Sequence, residues 1–466
     1  MLDLETQGRR EPALRLKLNK TMSSNPKAKR KHIVRRATSA EFQFSFEQVV
    51  KASEALDEPD WLRERRISAW KSWESLPLPT TKDEPWRRTD LRNIPADRFS
   101  AKPSENGRVD QEKTSSGPSM LLRPGHEPQF SNLEQIGDSG VVFADWATAV
   151  RDHAELLQKY LGSIVPDEEG KFSALAAAMA TDGVLVYVPS GVQSEVPLHS
   201  TLWAPGSDLA VFSRVLIIVE DGASALVVHE MASPGGEQAA LHAGNVEILV
   251  GANAELTFAE VQDWGDHMWN FTHERARVGR DGRMDWIFGA AGSHLTKNFS
   301  ELSLDGQGAH GRWTGFYFAD GKQHLDHDTQ QNHMAPNTTS DLLFKGALVD
   351  QSRSVWQGMI YVAPGAQQTD GFQANRNLIL SKHARADSIP GLEILADDVR
   401  CTHGATVSQL EEEPIFYLMS RGIPREQAER LVIEGFFATV MERIPLETVR
   451  EQFKQMVDRK LGPVVE

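Results

Sequence analysis

Residues 183–188 read Gly183-Val-Leu-Val-Tyr-Val188, and here the hydrophobic period of the chain changes. Residues of this β-branched and aromatic kind favour strands. For about 220 residues beyond this point helical spacing is nearly absent. Short strand-like runs follow one another instead: Val215–Val219, Ala225–His229, Val246–Val250, Leu256–Val261, Met284–Phe288, Leu302–Leu304, Phe316–Phe318, Leu342–Leu348, Met359–Val362 and Leu378–Leu380. Turn residues punctuate them at Asp221-Gly222, Gly251-Ala-Asn253, Asp281-Gly282, Asp305-Gly306, Asp350-Gln351 and Pro364-Gly365. Several of these signals lie 24 to 30 residues apart, with two or three short strands expected in each interval. Such a pattern fits a sandwich or barrel, or a stacked β-solenoid. The long helix-free stretch and the loose turn period favour the solenoid. Each rung then buries its inward side chains only against its neighbours, and the end rungs need covers for their unpaired backbone.

The flanking sequence supplies candidate covers. From about Phe44 the spacing is helical, with Leu62, Ala69, Trp70 and Trp73 on one face; the Pro-rich stretch Leu76–Pro79 ends that helix. Residues 101–119 read as a loop or linker, rich in Ser, Gly, Lys and Glu. Helices are expected over Trp146–Leu161, with Val150, Leu157 and Leu161 inward, and over Phe172–Ala180, with Leu175 and Met179 inward. After Ser408 helical spacing returns. Pro414–Arg421 reads as a short helix closed by Gly422, and Pro424 suits the first turn of the next, with Glu426 near its positive end. Ala428, Leu431, Val432, Phe436 and Val440 are the expected apolar stripe, Pro445 ends it, and a last helix is expected over Leu446–Leu461. Four segments result: a basic arm at 1–43, a mainly helical region at 44–182, a β core at 183–408 and a helical region at 409–466.

Composition narrows the function classes. The apolar content of 40%, with 35 glycines, is that of a globular protein. No apolar stretch approaches the length of a membrane span. The single cysteine, Cys401, closes no internal disulfide and holds no zinc or iron–sulfur site by thiolates alone. A reducing, cytoplasmic setting follows. The net charge of −15 is uneven: residues 1–40 carry +8, which leaves −23 on the rest. An acidic body argues against nucleic-acid binding. The arm lacks the interleaved aromatics of a stacking platform and the apolar segment of an export signal. Asp3, Glu5 and Glu11 count against a transit peptide. It reads as a solvated tail, and Met22 is an alternative start.

Phosphate loops, dinucleotide fingerprints, nucleophile elbows, His-Glu-x-x-His and Cys-x-x-Cys are all absent. Two histidine-bearing segments remain. His324-Leu-Asp326-His327-Asp328-Thr-Gln-Gln-Asn-His333 resembles a metal site by composition. On a strand, however, His324, Asp326 and Asp328 face one side, and His327 and His333 the other. A structural polar ladder is the expected role. In Asp397-Asp398-Val-Arg-Cys401-Thr-His403-Gly-Ala-Thr406, Cys401 and His403 are two apart and share a strand face. A thiolate beside an imidazole suits a soft metal or iron. A small buried hydrophobe or a Cys–His nucleophile pair are the other readings. Two ligands leave coordination incomplete, so a metal site here needs donors from elsewhere.

The run from Pro390 through Glu393, Cys401, His403 and Thr406, followed by Ile415-Phe-Tyr-Leu-Met-Ser-Arg421-Gly-Ile423, resembles the SufB/SufD family of iron–sulfur cluster assembly proteins, its SufD branch in particular. Lys345-Gly346 and Thr369-Asp-Gly-Phe-Gln373-Ala-Asn375-Arg-Asn377 match the family's β-helical core. Glu84-Pro-Trp-Arg-Arg-Thr-Asp-Leu91 resembles its N-terminal region. The resemblance covers roughly residue 44 to the end. It implies a right-handed parallel β-helix flanked by N-terminal and C-terminal helical regions. It implies a scaffold subunit that pairs with a SufB-like paralogue through the β-helix, and with a SufC-like ATPase through the C-terminal helices. Alone, such a chain could form a homodimer.

The same resemblance implies that His403, with Cys401 beside it, helps to form a nascent iron–sulfur cluster or hold iron, shared with the partner chain. It places Phe416, Tyr417, Arg421, Gly422 and Phe436 at the ATPase-docking face. The expected localisation is cytoplasmic, with neither nucleic acid nor membrane as partner and no catalytic residue. Two alternatives stand beside it. One is a β-helical polysaccharide-acting enzyme, using acidic pairs such as Asp326/Asp328 or Asp397/Asp398. The other is a purely structural assembly strut.

Overall fold

The computed structural model describes residues 41–101 and 117–462. The basic arm as far as residue 40, and most of the segment read as a linker, lie outside them. The described chain begins with α1 (Phe46–Ala55) and α2 (Asp60–Ser75). Next come β1 (Ser119–Leu122), β2 (Gln129–Ser131), β3 (Val142–Asp145), α3 (Trp146–Asp152), α4 (Ala154–Tyr160) and α5 (Lys171–Met179).

From Asp182 the chain lays down β4 (Asp182–Val188), β5 (Leu198–Trp203), β6 (Ala210–Val219), β7 (Ser224–Ala232), β8 (Ala240–Val250), β9 (Glu255–Asp263), β10 (Met268–Val278) and β11 (Arg283–Ala290). It continues through β12 (Leu295–Leu304), β13 (His310–Ala319), β14 (His324–His333), β15 (Thr339–Leu348), β16 (Arg353–Val362), β17 (Thr369–Ile379), β18 (Arg385–Ile394) and β19 (Val399–Gln409). Helices α6 (Glu412–Ser420), α7 (Arg425–Met441) and α8 (Glu447–Leu461) close it.

Successive strands go to opposite walls. Odd-numbered strands from β5 to β19 stack in parallel in one sheet of ten, and even-numbered strands from β4 to β18 in a second sheet of nine. The result is a parallel β-solenoid of about eight turns. Trp269 pairs with Leu295, and Leu295 with His324, so one turn takes 26 or 29 residues there. The turns fall at the punctuation the sequence shows: Gly222, Asn253, Asp281, Asp350 and Gly365 all have positive φ. Such backbone is cheap for Gly and tolerated by Asn and Asp.

Each turn holds two strands of mostly eight to eleven residues, longer than the runs the sequence suggests. The reason is a partly polar interior. Strand β10 sends Asn270, Thr272 and Glu274 inward between the apolar Met268 and Ala276, so its inward face does not read as apolar. Elsewhere the interior is an aromatic column. Trp286 and Trp313 stack at 4.5 Å, and Phe258, Phe344 and Trp356 join the same core.

Helices cover the outer faces of both sheets. On the nine-stranded sheet, Trp70 and Trp73 of α2 and Phe172 and Leu175 of α5 pack over Phe212, Leu241, Trp269 and Phe271. On the ten-stranded sheet, α7 and α8 lay Ile433, Phe437, Val440, Phe453 and Met456 over Ala259, Ile287, Phe316 and Phe318.

Four expectations need correction here. The 44–182 region also holds β1 to β3, which extend the two sheets. The helix expected over Trp146–Leu161 is two helices that meet at His153, although Val150 and Leu157 still point inward. The buried stripe of α7 is Ala428, Ile433, Phe437 and Val440, whereas Leu431 is 41% exposed. Phe437, rather than Phe436, meets the Phe316 ring at 4.8 Å, and that contact sets the helix's rotation. Pro424 stands just before α7, which begins at Arg425.

The two ends of the solenoid differ. At the first, β3 runs antiparallel to β4, and the antiparallel strand β2 borders β1. At the last, β18 and β19 form the outer strands, and no described strand pairs beyond them.

Candidate functional site

Cys401 and His403 lie on β19, the outermost strand at that open end. The register pairs Cys401 with Gly371 and His403 with Gln373 of β17. Thr369, Gly371, Gln373, Asn375 and Asn377 line the last closed layer of the interior, all buried. By the alternation of a strand, Val399, Cys401, His403, Ala405 and Val407 face the same way one layer further out. No further turn covers them. On the opposite wall, Leu392, Ile394 and Leu395 are exposed by 37%, 38% and 50%, and Val407 by 50%. This apolar layer has the character of a core cut open.

The two site residues sit differently within it. Cys401 is half-buried and packs with Val399, Tyr361 and Ala396 on Ile360, Val362, Ala363 and Ala366. Burial pushes its thiol up, the backbone at Gly371 pulls the other way, and Asp370 adds to the rise. The space beneath it at Gly371 is tight: a Cβ there would come within 3.2 Å of Cys401 Sγ and 3.3 Å of His333 Nε2. His403 is exposed. One layer below it, Gln373 donates from Nε2 to the Gly391 carbonyl at 2.9 Å, while its Oε1, fully buried, has no partner. Among the described residues no group of three or more His, Cys, Asp and Glu side chains could hold a metal ion. The thiol and the imidazole are therefore two donors only.

The other histidine segment is β14, and its alternation divides it. On the outer face His324 Nε2 lies 2.8 Å from Thr89 Oγ1, and Thr89 also bonds Asp326. Lys297, fully buried, reaches Asp326 at 3.0 Å and Asp328 at 2.9 Å, and Gln357 donates to Asp328 at 2.6 Å. On the inner face His327 meets Phe288, and His333 bonds Thr338 and Ser340 at 2.7 and 2.8 Å. Burial lowers His324 and His333 to about 4 and His327 to about 3, so all three are neutral at pH 7. The outer network explains the Glu84–Leu91 motif. Thr89 fastens that segment to the sheet while Trp86 packs on Phe172, Phe271 and Phe299.

The residues expected at the docking face fall into two groups. Phe416 and Tyr417 on α6 are exposed by 72% and 57%, with Met419 beside them; Arg421 lies 5.2 Å over the Tyr417 ring, and Gly422 closes α6 with φ +88°. Phe436 packs instead toward the sheet, beneath the Lys345 ammonium at 4.6 Å. The sequence reading missed Gly371 and His333 as neighbours of Cys401, and Gln373 as the neighbour of His403. The link in each case is the register across turns, which no local pattern encodes.

Comparison with known proteins agrees with this architecture. Residues 202–436 match the family model described as SUF system FeS cluster assembly, SufBD core domain, and residues 125–199 match the SufBD protein N-terminal region. The chain is 32% identical over 420 residues to the iron–sulfur cluster assembly protein SufD of Bacillus subtilis, covering 88% of this chain and 96% of that one. The chain belongs to the SufBD family. An iron–sulfur cluster assembly SufBD family protein of Staphylococcus saprophyticus is 30% identical over 86% of this chain and 89% of its own length. The SufBD core match starts within β5 and ends inside α7, so it spans the open end with Cys401 and His403. No described helix is long and apolar enough to cross a membrane.

Proposed function

We propose that this chain is the SufD-like subunit of an iron–sulfur cluster assembly scaffold, and that it builds clusters across its open last turn together with a SufB-like paralogue. The observation that carries this reading is the uncovered layer at β18 and β19. Its apolar side chains and unpaired strand edges suit a second β-solenoid that continues both sheets. Cys401 and His403 then lie at the seam, where a partner supplies the donors that this chain lacks. The cluster is cargo, assembled and passed on; the chain itself is a non-catalytic scaffold in the cytoplasm. A SufC-like ATPase docks on the exposed Phe416–Met419 face of α6, and its nucleotide-driven movement strains the seam and opens it to iron and sulfide.

The first test is co-expression with SufB-like and SufC-like proteins, followed by native mass measurement. Copurification of all three supports the assembly. A chain that stays alone or pairs only with itself removes it. The second test is His403→Ala in the assembled complex under anaerobic conditions. Loss of cluster formation with an intact complex supports the role of His403. Undiminished formation leaves the chain as a strut that holds its partners without touching the cargo.

A further inference from the structure

Five strand positions along the ten-stranded sheet from β19, or about 24 Å at strand spacing, the interior turns polar. Glu260 on β9 and Glu274 on β10 face inward side by side and are 0% and 1% exposed. Thr272 and Ser300 each donate a hydroxyl hydrogen bond to Glu274, one to each oxygen. Glu260 receives no such donor: neither of its oxygens has a hydrogen-bond partner of good geometry. Trp286 Nε1 faces it without a hydrogen bond of good geometry, and His229 Nε2 on the neighbouring strand and Asn298 Nδ2 beside Thr272 are likewise buried and unpartnered. Native interiors leave few such groups bare, and bound water is the usual remedy.

No positive charge balances the pair. The inward positions of β7 to β14 carry no Lys, Arg or Asp. The other titratable groups facing in are Tyr317 and four imidazoles, His229, His242, His327 and His333, which burial holds at about 3 to 4 and therefore neutral. Two carboxylates in contact there would be an uncompensated double charge in a dry setting, which proteins avoid by protonation. The placement of the hydroxyls decides which member is charged. A carboxylate accepts, and Glu274 takes both hydroxyls; Glu260 has only the Trp286 indole N–H facing it, outside good hydrogen-bond geometry, and as an acid it can donate to Glu274.

We propose that Glu260 and Glu274 form an internal proton-holding site, in which the Glu260 carboxylic acid donates to the Glu274 carboxylate and ordered water bridges the unpartnered groups around them. Burial and the adjoining carboxyl push Glu260 well above the carboxylate range, in agreement. Burial also raises Glu274, against the pull of the two hydroxyls.

The test is infrared difference spectroscopy of the full chain near pH 8, where a free glutamate (pKa about 4.3) is fully ionised. Wild type minus Glu260→Gln is expected to show the carbonyl stretch of an un-ionised carboxylic acid, shifted in D2O. Glu274→Gln is expected to keep that acid band. A difference spectrum containing only carboxylate bands overturns the proposal. If Glu260→Gln does not fold, carboxyl-labelled glutamate in the wild-type chain gives the same answer by NMR. One side chain that stays un-ionised past neutral pH supports the site, and complete ionisation of every glutamate by pH 7 removes it.

Discussion

The two ends of this solenoid are made from the same kind of strand, yet one is closed and the other is not. At the first end, β3 and β2 turn antiparallel and border the sheets; Phe143 of β3 and Leu122 of β1 are buried against the interior, while β2 itself is exposed, Phe130 by 39%. At the last end, Leu392 and Ile394 of β18 and Val407 of β19 remain exposed. In a solenoid, burial is a property of the neighbouring turn rather than of the side chain. A cap finishes the first end, whereas no described strand covers the last.

The largest effect that could break this contrast lies at the closed end. Phe143→Ala is expected to destabilise the isolated chain by about 3 kcal/mol, from lost burial and a cavity, read by urea unfolding. A loss below about 1 kcal/mol would mean that the first end is no better packed than the last.

Next in size is the acid response of the last closed layers. Burial holds His333 at about 4 in the folded chain, against about 6.5 when unfolded. Its neutral form therefore supports the fold above pH 6.5, and that support is lost as pH falls toward 4. The stability difference between wild type and His333→Gln should shift by up to about 3 kcal/mol in favour of the variant between pH 7 and 4. A difference that stays flat over that range would show that this layer already admits water from the open end.

Smaller is the boundary between closed and open layers. Gly371→Ala forces a methyl between Cys401 Sγ and His333 Nε2, and is expected to cost about 1 kcal/mol while exposing the thiol. Faster reaction of Cys401 with a disulfide reagent is the readout; an unchanged rate would mean that Gly371 does not seat it. The smallest effect belongs to Val407→Ala. It should change the isolated chain by less than about 0.5 kcal/mol, yet weaken the complex with a SufB-like partner measurably. Equal loss in both settings would undo the contrast between cap and interface.

Much of this was legible in the sequence. The change of period at Gly183, the turn residues at Gly222, Asn253 and Asp281, and the return of helical spacing after Ser408 are local signals. The structure carries each of them. The alternation that divides β14 between two faces was legible for the same reason. The inward polar residues of β10 hid that strand, because a polar lumen erases the apolar pattern. The rotation of α7 was off by one position, because both candidate stripes are apolar and only contact with Phe316 chooses between them.

By itself, then, the sequence determined the class of fold, the positions of its turns, the family motifs and the pairing of Cys401 with His403 on one strand face. These depend on spacing within a few residues, where backbone geometry repeats. Tertiary structure decided what lies across a turn: Gly371 and Gln373 beneath the site, Lys297 between two aspartates, Glu260 beside Glu274, and an end left open. Those neighbours stand far apart in the chain, most of them by a turn or more, and only stacking brings them together.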